Sequence, residues 1–477
     1  MLSRTADSAP AAGDATATLF YAYLALLVWL PLPLASARPW AWAVMEVWVY
    51  TLAAAWIWLY ARRRAAWTLA FAQAKPVLIL SGLWLIYGMA QLLPLPAGVV
   101  GVISPEVRAL HAPLGALGAG PASGWPTLAV DPYAAGVAWL KGLAYVLVFA
   151  LTLLLVDSRR RVRLLAYALI FSGLFQAVYG GFMTLSGLEY GFLHEKWTYR
   201  GFATGTFVNR NHLAGYLVLC LATGIGLLIA DLGGAAGPRN ARQRLRGLIR
   251  LIFSPKARVR LYLAAMVIGL VLTRSRMGNT AFFAGMLAAG AAALVLVRRK
   301  TRATVVLLAS LVIIDLVILG AWFGVDKVAE RLEQTSIAGE DRFDVTRYGL
   351  VLWRDHALTG VGAGGFYAAF PRYRGPEVAG VYHHAHNDYV QFLVEYGAIG
   401  AALLGPVVLL SLGAALAALR RRHDPLMRGM AFAATMGVAA MLIHATVEFN
   451  MQIPAYAATF MAILALAWIA RGLSSAD

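Results

Sequence analysis

The chain has 477 residues, 60% hydrophobic and only 13% charged, with a mean hydropathy of +0.68. That composition excludes a soluble enzyme, and at about 20 apolar residues per bilayer crossing the length accommodates roughly a dozen spans. The net charge of +18 invites a nucleic-acid reading until its basic residues are located, and the single cysteine, Cys220, excludes an intramolecular disulfide or a cysteine metal cage.

Apolar runs long enough to cross a membrane cover 18–36, 40–60, 76–95, 134–156, 164–186, 212–231, 259–275, 277–297, 303–325, 397–418, 428–446 and 455–471, which makes twelve. Lipid offers the backbone no hydrogen-bond partner, so continuous runs of this length must be helices. The expected fold is an all-α polytopic membrane protein, one integral membrane domain over 1–477. Ala35-Ser36-Ala37 resembles a signal-peptide cleavage site. The polar, acid-containing stretch before that apolar run and the even number of spans argue for its retention.

With the N-terminus inside, the inside segments hold 26 of the 41 basic residues but only six of the 23 acids. They include Arg62–Arg64, Arg159–Arg161, Arg163, Arg298–Lys300 and Arg420–Arg422. The charge is therefore a positive-inside bias and makes membrane lipid, not nucleic acid, the expected partner.

Three outside segments are long or polar: about 96–133, 187–211 and 326–396. The last exceeds an ordinary connection and is the expected catalytic loop, with short helices near 340–356 and 386–396. It carries Glu330, Arg331, Glu333, Glu340, Asp341, Arg342, Asp344 and Arg347, then His383-His384-Ala385-His386-Asn387-Asp388.

Charges at bilayer depth are costly, so each needs a reason. Arg274 and Arg276 occupy a tight outside turn, Thr273-Arg274-Ser275-Arg276-Met277-Gly278-Asn279, while Arg200 and Arg210 approach the same face. Such a cluster suits phosphate oxygens through its planar forks and implies an anionic ligand. The alternative is pairing with lipid headgroups or with Glu189, Glu195 and Asp388.

His383, His384 and His386 admit three readings: a metal site, satisfied structural histidines, or a general base. A helix starting near His386 would scatter the side chains and disfavours metal. It would also align Asn387, Gln391 and Glu395 as a polar stripe, from which Asp388 or Glu395 orients the imidazole or pairs with an Arg. Glu448 and Asn450 lie in a very short outside turn level with the arginines. Glu46, Lys141 and Asp315, inside the spans, fit a proton or ion path instead, and with it a transporter of lipid-linked glycan.

The stretch from His384 to Gly400, a His-Asn pair followed by Glu395 and Gly397-x-x-Gly400, resembles the signature of the O-antigen ligase and polymerase family. Gly205–Gly215 with its Asn209-Arg210-Asn211-His212, the Ser275-Arg276 turn, and Val447–Ala455 are similar to further stretches of that family. The resemblance covers roughly 200–460. It departs from the pattern at Glu448, where the family more often has Asp.

The resemblance implies an inverting, metal-independent membrane glycosyltransferase of the GT-C type, without cofactor, at the periplasmic face of the bacterial inner membrane. The implied reaction moves a glycan from undecaprenyl diphosphate to an acceptor sugar hydroxyl. It places the catalytic histidine on His386, with His384 and Glu395 beside it. The diphosphate-binding arginines fall on Arg210 and Arg276, then on Arg200, Arg274 and Arg347. Asn209, Asn211, Asn387, Asp388, Glu448 and Asn450 are supporting residues. The forms Asn209-Arg210-Asn211-His212 and Glu448-Phe449-Asn450 lean toward a surface or exopolysaccharide polymerase, which would work with a chain-length regulator. A ligase acting on lipid A core is the alternative.

Overall fold

A computed structural model of the chain describes residues 15–116, 125–232, 255–297 and 337–473. The expected span 303–325 with Asp315, the loop start 326–336 and most of the basic stretch 239–260 lie outside the described residues.

The fold is all-α. In chain order come α1 (Ala17–Trp29), α2 (Pro39–Ala61), α3 (Leu69–Gln73), α4 (Lys75–Leu92), α5 (Ala97–Ile103), α6 (Pro105–Ala116), α7 (Pro132–Leu155) and α8 (Arg159–Leu185). A short hairpin of β1 (Tyr190–Gly191) and β2 (His194–Glu195) precedes α9 (Arg210–Leu232), α10 (Pro255–Leu272) and α11 (Arg276–Leu296). Then follow α12 (Ile337–Asp355), α13 (Phe366–Ala369), α14 (Asp388–Arg421), α15 (Pro425–His444) and α16 (Pro454–Gly472). Among the described residues, nine helices are long and apolar enough to cross a membrane: α2, α4, α7, α8, α9, α11, α14, α15 and α16.

Local chemistry sets the starts. Side chains of Asp131, Ser158, Ser275, Asn387 and Asp424 accept first-turn amides of α7, α8, α11, α14 and α15, each supplying a partner that the helix lacks. The first expected span is shorter than its apolar run. Pro31 and Pro33 cannot continue the ladder, so α1 ends at Trp29 and a 3-10 turn with positive φ at Leu34, Ala35 and Ser36 leads into α2.

The bundle is built around α9 and α16, the spans most fully buried within it. Both α9 and α16 pack on α15, and α15 also packs on α11. Small residues allow the closest approach: a side chain at either Gly226 or Gly429 would run into the other's carbonyl oxygen.

The two ends of the bundle differ. At one end Arg159 pairs with Asp424, Arg163 with Asp231, and Arg422 reaches the carbonyl of Arg471. These contacts gather basic segments that lie far apart in sequence onto one face. Segments 200–212, 273–276, 342–395 and 444–454 belong to the opposite end.

There the expected helices appear as α12 and the first turns of α14. Gly397 joins the latter to the span with φ 62° and ψ −168°, a conformation essentially reserved for glycine. The amides freed by this kink do not go unpaired. Ala398 and Ile399 donate to the carbonyls of Ala357 and Leu358. A β-carbon at Gly397 would overlap the Leu358 carbonyl. Gly397→Ala is therefore expected to cost about 1–3 kcal/mol and to lower the detergent-solubilised melting temperature. Gly405→Ala in the same helix, with open space around it, should leave the melting temperature within error.

Candidate active site

The site assembles where the α15–α16 connection meets the start of α9, helix α12 and the loop before α14. At its centre Glu448 is almost wholly buried, its side chain 1% exposed. Oε1 accepts from Arg342 Nη1 at 2.8 Å and from the Asn211 amide. Oε2 faces His212 Nε2 at 3.6 Å and His386 Nδ1 at 3.7 Å. These two separations exceed a normal hydrogen bond, so they are polar contacts that can tighten. Burial pushes the Glu448 carboxyl up, but the imidazoles of His212 and His386 and the Arg342 guanidinium outweigh it and hold it well below the usual carboxylate range.

Phe449 organises the histidines. Its ring centroid lies 4.6 Å from that of His212, 4.5 Å from His384 and 4.8 Å from His386. His384 stacks on the ring, and burial, followed by the positive charge of Lys141 and neighbouring imidazoles, drives its pKa down to about 3. His384 is thus neutral and acts as packing against Phe449. His386 has the positive φ of 52°, a left-handed conformation with a cost that its neighbours must meet. They do so by locking both flanks: Ala385 N donates to the Gln391 side chain, and Asp388 N to the carbonyls of Ala445 and Glu448. The helix begins at Asp388, so His386 precedes the helix instead of occupying its first turn.

The supporting residues tie these segments together. Asn387 caps α14 through Val390 N, and Asp388 accepts from Met451 N at 3.2 Å. Asn209 accepts from Asn211 N at 2.8 Å, and Asn450 contacts His444 Nδ1 at 3.0 Å.

Three more arginines form a cluster on this side, of which Arg210 feels the charge of Glu448. Arg210 lies 4.0 Å over the Phe202 ring, with Arg274 5.6 Å from the same ring. The charges of Arg276, Arg342 and Glu448 all reach Arg210. Among the described residues, Glu340 and Asp341 aside, no carboxylate forms an ion pair with Arg210, Arg274 or Arg276. Like charges gathered together, Arg210 half-buried and Arg274 and Arg276 exposed, fit an anionic group between them.

Arg200 and Arg347 are not brought into this cluster. Arg200 pairs with Glu195, and Arg347 with Asp344 and Glu377. Glu395, expected beside the histidine, instead accepts from Gln391, and its neighbours are the backbone of Gly364 and Phe366. It braces the loop, and Glu448 is the acid next to His386. Sequence reasoning passed over Arg342, His212 and Phe449 as site residues. His212 sits in the quoted Asn209-Arg210-Asn211-His212 motif, which was a usable signal; nothing distinguished Arg342 within its charged run. Among the described residues no group of three or more His, Cys, Asp or Glu side chains is placed to hold a metal ion.

Fold and site together define a polytopic membrane protein with an arginine cluster beside a carboxylate–imidazole pair at one end. Residues 261–405 match the model of the family described as O-antigen ligase. The match spans Arg274, Arg276, Arg342 and the histidine loop, and it supports placing the chain in the O-antigen ligase and polymerase family that its motifs resemble. That family points to glycan transfer at a membrane. No curated protein matches the chain.

Two outcomes follow for the central pair. Arg342→Ala strands a buried carboxylate and should cost about 3 kcal/mol or more, and adding Glu448→Gln should recover part of the loss in a double-mutant cycle. Because the Glu448 pKa is depressed in the folded state, its stabilisation is present above the ordinary carboxyl pKa and is lost as pH falls through the folded value. Melting temperature against pH should therefore fall more steeply in acid for the wild type than for Glu448→Gln; parallel curves would contradict this.

Proposed function

We propose that the protein is an inverting, metal-independent glycosyltransferase that moves a glycan from undecaprenyl diphosphate to an acceptor sugar hydroxyl. The observation that carries the reading is the cluster of Arg210, Arg274 and Arg276, with no ion pair to a carboxylate among the described residues, on the side of the Glu448–His386 pair where Arg210 lies.

In this reaction the acceptor oxygen attacks the anomeric carbon while the bond from that carbon to the diphosphate oxygen breaks. His386 takes the hydroxyl proton, and Glu448 steadies the imidazolium that forms. The diphosphate leaves with the electron pair. It is a good leaving group and needs no general acid, so Arg210, Arg276 and Arg274 serve by offsetting the developing charge. The donor is held by its lipid, so a nucleotide-binding fold is not required.

The basic segments gathered at the opposite end support the orientation: by the positive-inside rule that end is cytoplasmic. The active site then faces the periplasm, and the membrane is the bacterial inner membrane. Surface polysaccharide polymerisation is the favoured form of the reaction, with ligation to lipid A core as the alternative.

Purified protein reconstituted with an undecaprenyl diphosphate-linked repeat unit, with and without lipid A core, separates these by the products on a gel. A ladder formed without core is the result expected; one shift that depends on core means ligation, and no product with any acceptor contradicts glycosyl transfer. His386→Ala and Arg276→Ala should each lower the rate at least about 100-fold while circular dichroism stays helical, and Arg276→Lys should be severely impaired because it loses the bidentate fork.

A further inference from the structure

The hairpin between α8 and α9 is built the wrong way round for water. Tyr190 pairs with Glu195 and Gly191 with His194, leaving Phe192 and Leu193 as a two-residue turn. Such turns in water are dominated by Asn, Asp and Gly. Here Leu193 is 75% exposed and Phe192 43%, and Trp197 just beyond the hairpin is 56% exposed. Large apolar side chains exposed together on one short hairpin mark a contact surface.

We infer that the outer leaflet of the membrane is what it contacts, and that the turn Phe192-Leu193 is seated in it. Phe182 and Leu185 at the end of α8 that leads into the hairpin are also exposed, and Tyr179 of that helix donates to the Tyr190 carbonyl. Arg38, at the start of α2, lies 5.4 Å from the Trp197 ring. An exposed guanidinium stacked on an exposed indole is the pairing expected at headgroup level, where the ring faces acyl chains and the cation faces phosphate.

The hairpin is also fastened to the active site. Lys196 Nζ donates to Glu189 at 2.6 Å and to the Phe202 carbonyl at 3.0 Å, and Gly201 N donates to the same Glu189. Phe202 is the ring under Arg210. The seat in the leaflet therefore sets the height of Arg210 relative to the headgroups, through one buried ion pair and one aromatic ring. Its existence does not depend on the reaction proposed above.

The test uses the full chain in phosphatidylethanolamine–phosphatidylglycerol nanodiscs, with the buried Cys220 replaced by Ala and a nitroxide placed at Leu193→Cys, Phe192→Cys or, as a water-exposed control, Ala379→Cys. Collisions with molecular oxygen, which partitions into lipid, and with a water-soluble nickel chelate are read from power-saturation spectra. Oxygen access retained at 192 and 193, with loss of the nickel access seen at 379, is the expected result. Nickel access at 192 and 193 equal to that at 379 would place the turn in water and overturn the inference. Loss of access to both reagents would mean that protein, such as a second copy, covers the turn, and would overturn it equally.

Discussion

The end of the bundle that carries the candidate site depends on one carboxylate held away from water. Glu448 lies in the connection between α15 and α16, and it draws side chains from three other places: Asn211 and His212 at the start of α9, Arg342 on α12, and His386 in the loop before α14. A charge at 1% exposure is tolerable only when paired and hydrogen-bonded. That requirement fixes the register of segments more than 200 residues apart in sequence, and it couples the folding of the site to the chemistry proposed for it. The same carboxylate that needs Arg342 for its burial gives His386 a negative neighbour.

Around this centre, among the described residues, Arg210 and Arg274 are held by an aromatic ring and not by an acid. Phe202 carries Arg210 and Arg274 on its faces, and Phe449 is surrounded by three imidazoles. Ring faces attract cations weakly and leave their hydrogen-bond donors unspent. An anion arriving between the guanidiniums thus meets donors that need not first be released from protein carboxylates. Arg200 and Arg347 contrast with this, since their exposed forks are already engaged by Glu195 and Glu377.

How much of this was legible in the sequence varied with the range of the physics involved. Hydropathy is local, so the spans and the all-α class could be read directly. Helix α1 fell short because Pro31 and Pro33 interrupt an apolar run that length alone would carry across. The junction at Gly397 was visible as the boundary between the expected helix and the next span, but its kink depends on carbonyls donated by Ala357 and Leu358, contacts no spacing reveals. In the site, Arg210, Arg276 and His386 stood out through motif and unusual placement. Arg342 did not, because a dense charged run has no pattern that singles out the residue facing inward. Glu395 shared a four-residue stripe with Gln391, and that spacing identified its helical neighbour without showing that Glu395 looks toward the backbone of Gly364 and Phe366 while Gln391 reaches the Ala385 amide beside His386.

The division of labour between the arginines and the histidine can be measured on binding alone. Equilibrium binding of undecaprenyl diphosphate-linked glycan to purified wild type, His386→Ala and Arg276→Ala proteins, without acceptor, separates holding the donor from turning it over. The account predicts wild-type affinity in His386→Ala and at least about a tenfold loss in Arg276→Ala, the weight of one charge-assisted contact. Equal affinity in all three proteins, or loss in His386→Ala with none in Arg276→Ala, would contradict it.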